Sequence, residues 1–171
     1  MLTKEFNHTI DIWINELERS TFARICARPF QDSWSLGQVC MHLMEATGHY
    51  LQQARICLST NDHASEEMSG NAKVMFQNNS FPDELIEGPP SNSATQQPGS
   101  KEQLIRFLID LKKEISDVGI LISASAFKGK TKHPGLNYFN AHEWMQFAEM
   151  HFRHHLRQKK RLDEFFKTQQ R

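Results

Sequence analysis

Residues 100–122 read SKEQLIRFLIDLKKEISDVGILI, and the spacing of their apolar side chains decides the fold. Leu104, Leu108, Leu111, Ile115, Val118 and Ile122 alternate by four and three. That alternation places them on one stripe of an α-helix and is the seam of a helix bundle. Ser100 is a good N-cap, and Gln103 stands where a capping box requires it. A helix with one apolar stripe must bury it against other elements, so the chain on either side is read for partners.

Toward the C-terminus, Asn140 as N-cap and Glu143 at the reciprocal position open a helix expected to reach about Phe166. Toward the N-terminus, Ser35 and Gln38 form a second capping box. Leu36, Val39, Leu43, Ala46 and Tyr50 then mark the buried face of a helix running to about Leu58. Phe6, Ile10, Trp13 and Leu17 mark a further amphipathic helix, expected to stop before Arg28-Pro29 because the residue before proline avoids the α region. These helices predict an all-α four-helix bundle forming a single domain over residues 1–171. The second and third helices are joined by a long aperiodic stretch, and Pro89, Pro90 and Pro98 exclude its later part from the core. A connection of this kind is expected to be a crossover, a lid or a loop, with Lys73 to Ser100 mostly irregular. The connection from Phe127 to Phe139 is punctuated by His133-Pro134-Gly135, a turn signal, and shows no convincing strand pattern.

Composition narrows the function classes. The 171 residues carry 20 Lys+Arg and 20 Asp+Glu, a formal net charge of zero that argues against a nucleic-acid binder. No apolar run reaches the ~18 residues of a membrane span. Lys4, Glu5 and Asp11 near the start give no signal-peptide pattern. Cys26, Cys40 and Cys57 lack CxxC spacing and read as reduced thiols of a cytoplasmic protein. Nine histidines stand out.

The seam of the last helix runs Ala141, Trp144, Ala148, His151, His155, Gln158, Leu162, Phe165, so polar residues occupy its middle. His151 and His155 are spaced i and i+4 and project from one face. That arrangement suits two imidazoles meeting one metal ion, and a metal would satisfy both in an apolar interior. His42, on the edge of the second helix's buried face, fits best as a third ligand, with His49 two turns along as the fallback. His154 lies off the seam centre and reads as a surface or supporting group. His142-Glu143 does not begin an HExxH motif, because Gln146 stands where the second histidine would be. The sequence has no pair of ExxH motifs for a di-iron site. Arg157, Lys159, Lys160 and Arg161 read as a solvated face near the helix C-terminus, Cys40 as a small buried hydrophobe, and Trp13, Trp34 and Trp144 as core or junction packing. Glu45 and Glu149 are the carboxylates considered as general base.

Trp34-Ser35-Leu36-Gly37-Gln38-Val39-Cys40-Met41-His42-Leu43 resembles the second-helix motif of the DinB/YfiT-like superfamily. Glu143-Trp144 followed by Met150-His151-Phe152-Arg153-His154-His155-Leu156-Arg157-Gln158 resembles its last-helix signature. The resemblance implies a four-helix bundle with a long crossover between helices 2 and 3. It also implies a divalent metal, zinc or nickel, held by His42, His151 and His155. Members are described as metal-dependent hydrolases or transferases of low-molecular-weight thiols. One departure is Leu156-Arg157-Gln158, where many relatives have Arg-Gly-Gln; moving an arginine by one residue rotates it by about 100° on a helix.

Taken together, these readings predict an enzyme in which three histidines hold a metal that activates water or a thiol, its catalytic residues unassigned. A non-catalytic metal- or ligand-binding bundle and a purely structural bundle stand as alternatives. A small-molecule substrate or thiol is the expected partner, with neither nucleic acid nor membrane and with homodimerisation an open option.

Overall fold

The computed structural model describes residues 2–83 and 94–168. Its helices begin where cap chemistry directs. Ser35 accepts from the Gln38 amide and Gln38 returns a side-chain bond to Ser35 N–H, opening α3, Leu36–Cys57. Ser100 accepts from the Gln103 amide and opens α5, Lys101–Ala124, although the Gln103 side chain reaches Gly99 N–H rather than the cap residue. Asn140 and Glu143 exchange bonds of 2.8 and 2.9 Å at the start of α6, Ala141–Thr168. The N-terminal helix α1 spans Leu2–Glu18. It ends earlier than Arg28-Pro29: the chain breaks near Ser20, and Thr21 caps a separate short helix α2, Phe22–Cys26.

These four long helices form the expected bundle. Phe6, Ile10, Trp13 and Leu17 of α1, Val39, Leu43, Leu51 and Ala54 of α3, the seam of α5 from Leu104 to Val118, and Trp144, Ala148 and Phe152 of α6 make one core. The α3–α6 pairing is the most extensive. On α3, Ala46 and Tyr50 are only half-buried, and Thr47, Leu51 and Ala54 carry the inward face instead.

Among the described residues Lys73–Ser100 is mostly irregular, as expected, over 78–83 and 95–100, although Ser69 caps a short helix α4, Gly70–Gln77, whose end enters it; Pro89 and Pro90 lie outside the described residues. One expectation is corrected. The connection from α5 to α6 contains a β-hairpin, β1 Lys130–His133 and β2 Asn137–Asn140, paired antiparallel with Thr131 opposite Phe139. Phe139 is buried, and Trp144 Nε1 donates to Thr131 Oγ1 at 2.7 Å, so the hairpin is fixed onto the start of α6.

The returning crossover is anchored on the site's side of α3. Gln38 Nε2 donates to Thr95 O at 2.7 Å. Pro98 lies so close to Gly37 that a Cβ there would fall 2.7 Å from its ring, which explains the need for glycine. Among the described residues, no helix is long and apolar enough to cross a membrane.

Candidate metal centre

The pairing of α3 with α6 brings His42, His151 and His155 together, and their ligand atoms all lie within 4.8 Å of one another. His151 Nε2 is the hub: it lies 3.2 Å from His42 Nε2 and 3.0 Å from His155 Nε2. His151 and His155 are buried, at 7% and 8% exposure, and His42 is half-buried.

The hydrogen-bond arithmetic of this cluster favours a cation. His155 Nδ1 lies 2.6 Å from Gln158 Oε1, an acceptor, so Nδ1 carries the proton and Nε2 presents a lone pair to the centre. His151 Nε2 can hold one proton at most, so it can donate to only one of its two neighbours. Among the described residues, His151 Nδ1 is buried without a partner. An ion bound at ~2.0–2.1 Å by tetrahedrally disposed nitrogens would separate them by about 3.3 Å, close to the spacing present. The donor set therefore fits a metal ion.

The environment favours neutral, ligating imidazoles. Burial is the main cause throughout. It pushes His155 down to about 3, with the neighbouring histidines adding and the Gln158 bond opposing. It also holds His151 well below its ordinary range, with repulsion from His155, His42 and His154 behind it. His42 is lowered by burial too, and the nearby Glu45 charge opposes that shift.

Aromatic rings wall the cluster. Phe81 stacks on His151 with centroids 5.7 Å apart, Trp34 lies 5.1 Å from His42, and Tyr50 meets His151 edge-on at 5.9 Å. Phe81 comes from the crossover, and α6 holds that segment by its backbone. Arg153 donates to Asn79 O at 2.7 Å, and Arg157 donates to Phe81 O at 3.0 Å. Arg157 also pairs with Asp83 at 3.3 Å and lies 2.8 Å from His154 Nδ1. The displaced arginine of the sequence motif thus straps the crossover over the histidines.

Other expectations sort as follows. His49 is exposed and stays out of the cluster. Glu149 is not placed as a base: its buried carboxylate accepts from Thr9 and pairs with Arg153. Glu45 is exposed, one turn beyond His42. Cys40 is buried and its thiol is pushed up to about 12 by desolvation, as a packing residue would be. The basic run is not simply solvated, because Lys159 pairs with Glu16 and Asp163. Sequence reading missed Phe81, which no periodicity marks, and the partnership of Gln158 with His155, which the i, i+3 spacing could have indicated.

Comparison with known proteins agrees with the fold. A solved structure described as TT2238, a four-helix bundle protein, superposes with a TM-score of 0.59 at 13% identity, covering 93% of this chain and 95% of its own. No curated protein matches. A family model, the DinB superfamily, matches residues 5–158, which include all three clustered histidines, the whole of α3 and α6 as far as Gln158. The chain belongs to the DinB superfamily.

Proposed function

We propose that the chain is a metal-dependent enzyme, a hydrolase or a transferase of low-molecular-weight thiols, in which His42, His151 and His155 hold zinc or nickel. The observation that carries this reading is the meeting of three Nε2 atoms, 3.0 and 3.2 Å from the hub, in surroundings that disfavour their protonation. When bound, such an ion lowers the pKa of a water or a thiol and so supplies a nucleophile at neutral pH.

The chain's own residues prepare that chemistry. Gln158 fixes the tautomer of His155. Phe81, Trp34 and Tyr50 limit water around the rings and strengthen the electrostatics inside. Glu45, exposed one turn beyond His42 with its charge reaching that ring, is the carboxylate this reading considers for proton uptake. Three protein ligands leave room for a small ligand on a four-coordinate ion, as catalytic sites do. The three cysteines are unpaired, in keeping with a reducing cytoplasm.

A non-catalytic metal- or ligand-binding bundle is the second reading, favoured by the engagement of Glu149 with Thr9 and Arg153. Elemental analysis of the purified protein, followed by thiol-conjugation and amide or ester panels with and without chelator, tests the proposal. Stoichiometric zinc or nickel and a chelator-sensitive turnover are expected. Stoichiometric metal without turnover on any panel would favour the second reading.

A further inference from the structure

A groove of about 690 Å³ lies between α3 and α5, bordered also by Ala94, Thr95 and Gln96 of the crossover. Its apolar walls are Met41 and Met44 from α3 and Phe107 and Leu111 from α5. Met41 and Glu45, both in the lining, flank His42 on α3. Glu45 thus lines the groove while its charge reaches the His42 ring, which links the two. The volume falls within the ~300–1,000 Å³ of small-molecule sites.

The charges around the groove have one sign. Glu45, Asp110 and Glu114 all line it, and among the described residues no lysine or arginine does. Glu114 has Arg55 at 3.8 Å; among the described residues, no ion pair reaches Glu45 or Asp110. An anionic body entering here would be repelled, and a neutral one would gain only apolar contact. A positively charged nitrogen on an apolar body gains both, with Phe107 offering a cation–π face and the methionines an adaptable wall.

We infer that this groove takes the body of the substrate, and that the substrate class is a small organic ammonium with an apolar or aromatic portion. The link to turnover rests on the proposed metal-dependent function; the ligand preference of the groove does not. Gly48 provides a clean probe, because it lines the groove and a Cβ built on it meets nothing within 4 Å.

The test is calorimetric titration of the full chain at low salt with phenethylammonium, phenethyl alcohol and 3-phenylpropionate. The ammonium should bind tighter than the alcohol by about fivefold to tenfold, the size of one or two exposed ion pairs, and the propionate should bind weakest. Glu45→Gln with Asp110→Asn should bring ammonium and alcohol level. Gly48→Phe should weaken all three more than about tenfold while circular dichroism and melting stay unchanged, since phenylalanine exceeds glycine in helix propensity. Equal binding of ammonium and propionate, or unaltered binding in Gly48→Phe, would overturn the inference. So would conversion of a dimer to a monomer by Gly48→Phe, which would assign the groove to a second copy. Elemental analysis of the same preparations separates the two proposals. A metal-free protein that still prefers the ammonium defeats the enzymatic reading alone, and a metal-loaded one without preference defeats the groove alone.

Discussion

His42 and His49 stand two helical turns apart on α3, close to the same face, yet they enter different surroundings. Opposite His42, α6 presents His151 and His155, and the ring nitrogens converge. Opposite His49, α6 presents Trp144, 6.3 Å away between centroids. His133 packs on the same tryptophan at 5.6 Å and on Phe147 at 5.1 Å. Its Nδ1 accepts from Gly135 N–H in its own turn, at 3.2 Å. Burial, helped by His49, pushes His133 down to about 4, comparable with His155 at about 3. A lowered pKa therefore does not separate a histidine of the cluster from a merely packed one. Convergence of lone pairs does, and it depends on the residues of the facing helix.

The largest effect that would test this contrast is loss of the hub. His151→Ala should strip the protein of zinc or nickel, as should His155→Ala, while His49→Ala and His133→Ala retain it. With metal at ~1,000 times Kd the wild type should gain about 4 kcal/mol. At ~2–4 °C per kcal/mol for a chain of this size, that is about 10 °C of melting temperature. The hub variant should lose that gain yet remain folded, since alanine favours helix. Elemental analysis and melts with metal or chelator measure both.

Next comes Phe81, whose ring covers His151 much as Trp144 covers His133. Phe81→Ala should cost about 3 kcal/mol in urea unfolding, as for other buried phenylalanines. Gln158→Ala, which frees the His155 ring, should weaken metal binding by about 10–100-fold in a chelator competition, with little change in the melting of the chelated protein.

The smallest effect concerns pH in the chelated protein. Both His133 and His155 have folded pKa values below the unfolded ~6.5, so the unfolded chain binds more protons as pH drops. Stability is full above about 6.5 and falls through the acidic window, levelling near 4 for His133 and near 3 for His155. His133→Gln should make the loss between about pH 6.5 and 4 less steep and leave the part due to His155, which continues to about pH 3. An unchanged urea midpoint profile would contradict that assignment.

The contrast also shows what a sequence can disclose. The Leu104–Val118 seam and the capping residues at Ser35, Ser100 and Asn140 mark helices by local chemistry, and those helices begin there. His151 and His155 were legible because i, i+4 spacing is local too. Its place on the helix edge and the motif resemblance favour His42 over His49, and the structure brings His42 to the cluster. The hairpin was illegible, since Lys130–His133 and Asn137–Asn140 are short and polar, and only Phe139 is buried. The break near Ser20 hid within a continuous amphipathic pattern. Phe81 and Arg157 meet across 76 positions of chain, a relation fixed by tertiary packing and not by any local pattern.

Anomalous diffraction from crystals grown with zinc or nickel tests the central claim most directly. The account predicts one strong peak at the metal's absorption edge, about 2.0–2.1 Å from the Nε2 atoms of His42, His151 and His155. A protein that carries stoichiometric metal elsewhere, or that shows no peak among these three rings under excess metal, would contradict it.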